Sequence, residues 1–184
     1  VVSYATILQN QSSADYSVNV PVGKNYKVGY EISTKNNLVP WGYYGAYGTV
    51  YMPDSAYLLD VTDDIDGIDM TLLEKKSISG TVSLPEGKAP KGGVKVEIYA
   101  EDAGDTWVTI PEGESSAQYS MKVVPSVEGK GYKVRYVVSQ DHDLVNYGFY
   151  SKEGTVRNSK LADPVYANNK DVTDINIEIM KPRK

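Results

Sequence analysis

The chain has 184 residues, 41% of them hydrophobic and 23% charged, with a formal net charge of −5. That composition fits an ordinary globular protein of one or two domains, and its acidity argues against a nucleic-acid partner, which would call for a basic patch. Without cysteine it can build no disulfide, thiolate metal site or cysteine nucleophile, and no apolar run approaches the roughly 18 residues of a membrane span.

The hydrophobic pattern has a period of two throughout, and no amphipathic stretch of helical length occurs. In chain order, alternation appears first around Tyr26, Val28 and Tyr30, then in the aromatic stretch LVPWGYYGAYGTV at 38–50, where Val39, Trp41 and Tyr43 would share one strand face. It resumes at Ile78, Gly80, Val82 and Leu84, and at Val94, Val96 and Ile98, across a Pro- and Gly-rich connection at 85–93. Tyr119, Met121 and Val123 follow, then Tyr132, Val134, Tyr136 and Val138, and last Ile175, Ile177 and Ile179. Half-buried strands bounded by turn residues at this spacing predict an all-β sandwich. Sixteen tyrosines against one phenylalanine and two tryptophans favour half-buried sheet faces.

The aromatic stretch recurs as LVNYGFYSKEGTV at 144–156, a shift of 106. Tyr16 matches Tyr119 at a shift of 103, Tyr26 to Tyr30 match Tyr132 to Tyr136 at 106, and Ile68 matches Ile175 at 107. The shift changes only inside loop-like sequence, as insertions between fixed strands would produce. The chain therefore divides into two copies of one module, 1–76 and 77–184, the first lacking any counterpart of 77–103 and so two strands. An incomplete sheet would expose unpaired edges. Continuation of the polypeptide ahead of Val1 is the plainer expectation, since the chain opens without methionine and as if in mid-module. The alternative is a filament subunit whose first module takes strands from another chain.

The run ISGTVSLPEGKAPKGGVKVEIYA, the strands YSMKV and GYKVRYVV, and the closing DVTDINIEI resemble the carboxypeptidase regulatory-like repeats of bacterial surface and secreted proteins, which are similar in fold to transthyretin-type and collagen-adhesin B-type sandwiches. The resemblance implies tandem Greek-key, transthyretin/immunoglobulin-like β-sandwich modules. It also implies a non-catalytic stalk, spacer or adhesion role in a larger secreted or cell-wall-associated protein, with neighbouring repeats or other chains as partners through exposed strand edges. In the collagen-adhesin relatives a lysine and an asparagine or aspartate join the first and last strands. Here Lys75 or Lys76 and Asn176 stand nearest those places, but the alternation puts Asn176 on the polar face.

Candidate site residues fall into three groups. Aromatic rings suit the apolar faces of sugars; with Val39, Trp41, Tyr43 and their counterparts Val145, Tyr147 and Phe149 assigned to the interior, Tyr44, Tyr47 and Tyr150 remain as a polysaccharide contact. Asp60, Asp63, Asp64 and Asp66 offer hard oxygen ligands for calcium, in a partial EF-hand spacing that Thr62 interrupts; a solvated loop is the plainer reading. His142, the one histidine, lies between Asp141 and Asp143 with no second histidine or cysteine to complete a site. No serine has a Gly-x-Ser-x-Gly context. The expectation is a protein that is not an enzyme and has no cofactor.

Overall fold

The computed structural model describes residues 1–33, 37–126, 129–139, 143–168 and 170–182, and among these it contains strands and short turns but no α-helix. Chain contacts divide the molecule into two units, Val1–Tyr30 with Gly42–Thr71, and Glu31–Trp41 with Leu72–Lys184. The second unit thus holds 31–41 and 72–76 as well as the segment from 77 onward.

In the first unit, β1 (Gly23–Tyr26) pairs antiparallel with β5 (Leu59–Val61). A separate sheet has the order β2 (Gly29–Glu31), β3 (Trp41–Gly45), β4 (Gly48–Val50), with β2 at its edge. Residues 1–22 form no strand, and Val1, Val2, Tyr4 and Leu8 are exposed.

The second unit is built from longer strands. β6 (Lys76–Ser83) lies between β9 (Ser116–Val123), to which it is antiparallel, and the short β12 (Ile177–Glu178), to which it is parallel. Facing it is the sheet of β11 (Tyr147–Phe149), β10 (Val134–Val138), β7 (Val94–Ala100) and β8 (Gly104–Ile110), all antiparallel neighbours. The alternation decides what is buried. Ile78 and Val82 of β6, Val96 and Ile98 of β7, Met121 and Val123 of β9, and Val134 and Tyr136 of β10 all enter one cluster between the sheets, as in a β-sandwich. Each such side chain contributes about 1.5–3 kcal/mol on burial, which makes this cluster the main source of stability in the unit.

Two glycines are demanded by close approach. A Cβ on Gly80 would collide with the Ile175 carbonyl oxygen, and one on Gly104 with that of Lys122. The first arises from a bulge: Val172 bridges Ile78 and Ile177 pairs with Val82, so five steps on one strand match four on the other. Asp174 takes up the extra residue at φ +62°, and the bulge presses the Ile175 backbone over Gly80.

Hydrogen bonds recur at the sequence shifts. Tyr44 N–H donates to Val28 C=O and Tyr150 N–H to Val134 C=O; Tyr57 N–H donates to Tyr44 C=O and Asp163 N–H to Tyr150 C=O. Short 3-10 turns stand at Pro53–Ser55 and Ser159–Leu161. The Thr71 N–H donates to Thr49 Oγ1 and the Glu178 N–H to Thr155 Oγ1. The Tyr26 hydroxyl donates to Pro21 C=O and that of Tyr132 to Val124 C=O, where the shift passes from 103 to 106. Gly67, at φ +74°, occupies the place of the bulged Asp174.

One expectation needs correction. Trp41 and Tyr147 do not join the interior: they are 44% and 36% exposed, whereas Val39 and Val145 are buried, and Phe149 is buried on the same outward face as Tyr147, beside Arg135. The reason lies in the adjacent glycines. A Cβ at Gly42 would meet the Tyr30 ring at 2.6 Å, and one at Gly148 would meet the Tyr136 ring at 2.6 Å. Tyrosines on the neighbouring strands fill the buried side over each glycine, so the flanking Trp41 and Tyr147 face outward.

Candidate functional site

The three tyrosines expected to contact a ligand fall in different settings. Tyr47 sits in the β3–β4 turn and is fully exposed. Tyr44, in β3, is half-buried and stands edge-on to Tyr57 with centroids 6.1 Å apart. Tyr150 is half-buried against the core of the second unit, and burial raises its phenol pKa, with the nearby Asp163 carboxylate adding to the effect. Asp163 is itself held below the usual carboxylate range by the Lys152 N–H and the Ser151 hydroxyl, which both donate to its Oδ2. Tyr44 and Tyr47 belong to the first unit and Tyr150 to the second.

The acidic residues do not converge. Asp60 Oδ1 accepts from Asn25 N–H at 3.0 Å, Asp63 Oδ1 accepts from Asp64 N–H at 2.9 Å, and Asp66 is exposed. Among the described residues no group of three or more acidic or histidine side chains is arranged to hold a metal ion. His142 and Asp141 lie outside the described residues. Asn176 is exposed, and its Oδ1 accepts from Thr81 N–H at 2.9 Å, while Lys76 Nζ lies 3.7 Å from Glu74.

Sequence reasoning missed an outward-facing aromatic surface on the sheet of β11, β10, β7 and β8. The register places Tyr147, Val137, Glu97 and Trp107 in one row across it, with Phe149, Arg135, Tyr99 and Asp105 in the next. Trp107 is 58% exposed, with Lys95 Nζ 5.5 Å from its ring centroid. The Arg135 guanidinium stacks over Tyr99 at 4.4 Å and lies near Phe149 at 5.8 Å. The signal was available: Thr106, Val108 and Ile110 alternate with Trp107 and Thr109, which marks β8 as a strand and turns Trp107 outward.

A second arrangement involves backbone chemistry. On β9, Tyr119 pairs with Gly80 of β6, and its hydroxyl donates to Ile175 C=O, on the segment that flanks β6 on the other side, at 2.5 Å. The tyrosine thus passes over the glycine and ties together the two neighbours of β6. Two side chains on the 171–176 segment also hold β6 directly: Asp171 Oδ1 accepts from Ser77 N–H at 2.7 Å, and Asn176 Oδ1 from Thr81 N–H at 2.9 Å. In the first unit the Tyr16 hydroxyl donates to Ile68 C=O, also at 2.5 Å. Burial, then Asp69, then Tyr44 raise the Tyr16 phenol pKa, much as burial and Tyr150 raise that of Tyr119.

Comparison of the chain with protein-family models, with curated proteins and with solved structures finds no match.

Proposed function

We propose that the chain is a non-catalytic structural or adhesive repeat. It consists of two tandem Greek-key β-sandwich modules, the first lacking its first two strands, from a larger secreted or cell-wall-associated bacterial protein in which such modules act as stalk, spacer or contact domain. The carrying observation is the recurrence of hydrogen bonds at shifts of 103, 106 and 107, above all the Tyr16–Ile68 and Tyr119–Ile175 pair. Two stretches that make the same contacts through matched residues support one module used twice, and repetition of this kind serves reach and surface more readily than a single catalytic centre. Residues 77–184 produced alone should then unfold in one cooperative urea transition and resist limited proteolysis. A segment that stays unfolded would remove the module reading.

The outward row of Tyr147, Glu97 and Trp107 favours a second reading, a polysaccharide-binding face on the second unit. Retardation in affinity electrophoresis through soluble polysaccharide, lost in Trp107→Ala, is its expected result; equal mobility of the two proteins in every polymer would remove it.

A further inference from the structure

The tyrosine bond that crosses β6 in the second unit also forms in the first, where among the described residues no strand pairs between the two stretches it joins. Residues 13–20 correspond to β9 and residues 64–70 to the segment flanking β6, yet among the described residues no backbone hydrogen bond joins the two stretches, although the Tyr16 hydroxyl does. Had the stretches closed on each other, a ladder would be expected, since strand-like backbone left beside its own kind pairs. In the second unit, Val172 and Ile175 exchange backbone bonds with Ser77 and Ser79 of β6. Among the described residues no backbone hydrogen bond joins their counterparts Ile65 and Ile68 to a strand.

We propose that the first unit holds an open strand position between residues 13–20 and 64–70, and that its occupant is a basic β-hairpin of the chemistry of residues 76–100, with a glycine beneath the Tyr16 ring. Its first strand runs antiparallel to 13–20 and parallel to 64–70, as β6 does between its own neighbours. The glycine is required because in the second unit any Cβ at that crossing meets the Ile175 carbonyl oxygen. The acidic stretch acquires a role here. Asp64 and Asp69 stand, at the shift of 107, where Asp171 and Asn176 accept the Ser77 and Thr81 N–H groups. Both are exposed, and a carboxylate accepting from backbone N–H makes a charge-assisted bond. Edge strand β2, the counterpart of β10 in the 106-residue alignment, is where the hairpin's second strand adds, as β7 adds to β10.

Charge points to the same occupant. The first unit carries two lysines against seven aspartates, so the whole formal charge of −5 resides there and the remainder of the chain is neutral. Residues 76–100 carry four lysines against two glutamates. An acidic acceptor with a basic strand donor is complementary and disfavours pairing between two copies of the acceptor.

The inference rests on the tandem-module reading, and its test separates the two. A synthetic peptide of residues 76–100 is titrated into the full chain, with binding followed by calorimetry and hydrogen exchange. One-to-one binding is expected, with new protection confined to 13–20, 28–31 and 64–70. A Gly80→Val peptide should bind at least about tenfold more weakly, and so should the wild-type peptide to Asp64→Ala or Asp69→Ala chain, while Asp69→Asn, which copies Asn176, retains affinity. Should the free peptide aggregate, residues 76–103 fused directly ahead of Val1 replace it, with the protection and a raised Tm as readouts. Equal binding of the Gly80→Val peptide, protection at 116–123 from exchange into the second unit, or no gain from peptide and fusion alike overturns the proposal. So does self-association that protects 13–20 without peptide, which would make a second copy the occupant. If residues 77–184 fold alone and neither peptide nor fusion engages, the strand acceptor falls and the module reading stands.

Discussion

Tyr119 concentrates much of what holds the second unit at residue scale. Its ring is buried, and its hydroxyl is bonded to Ile175 C=O. Replacing it with Phe keeps the ring and removes the donor, so the cost at pH 7 should be about 1–2 kcal/mol, read as a lower urea midpoint with unchanged slope. The alkaline limb gives an independent check. Burial raises the folded phenol well above the ordinary 10.0, so the folded state keeps its proton while the unfolded state begins to lose it near pH 10. Stability is therefore level below that pH and falls as pH rises toward the folded value. Tyr119→Phe should flatten that decline. An unchanged alkaline limb would mean that the buried hydroxyl does not set it. The outward rings make a contrasting prediction. Trp41→Ala and Tyr147→Ala should each cost less than about 1 kcal/mol, whereas Gly148→Val, pushed into Tyr136 and Met180, should cost about 1–3 kcal/mol, all by urea melts.

Among the elements, β6 occupies the central position of its sheet, and Ile78 and Val82 are fully buried. Ile78→Ala should cost about 2–5 kcal/mol, from lost transfer and the cavity left between the sheets. Equilibrium denaturation monitored by tryptophan fluorescence measures it, with Trp107 as a probe in the same unit; a cost below about 1 kcal/mol would mean that the site collapses around the gap. Strands of this kind were legible in the sequence because one face of each is buried in a single cluster: β6, β7, β9 and β10 follow the alternation of Ile78, Val96, Met121 and Tyr136. The run Ile175, Ile177 and Ile179 was legible as a strand, but the bulge at Asp174 just ahead of it, between the Val172 bridge and the Ile177 pairing, is revealed only by the register. The orientation of Trp41 was misread for a physical reason: period two says which residues share a face, but which face is covered depends on Tyr30, a residue on another strand. The acidic stretch was visible as a cluster, but acceptance of backbone N–H groups by Asp171 and Asn176 depends on register, which composition does not carry.

For the molecule as a whole, the two units should differ in local stability, because opening free energy follows buried contacts and backbone pairing. In the second unit the long strands enclose one apolar cluster. In the first, residues 1–22 form no strand, and the exposed apolar side chains at Val1, Val2, Tyr4 and Leu8 contribute little burial. Native-state hydrogen exchange should therefore rank the amides of 78–82, 94–100 and 117–123 slowest. Those of 1–20 should exchange close to the rate of an unstructured chain, with Gln11, whose N–H donates to Leu8 C=O, the most retarded among them. Denaturant should release the units in two steps, with protection in 23–31 and 42–61 lost before that in the second unit. A single transition with slow amides throughout 1–20 would contradict this, since such protection would require backbone partners within the isolated chain.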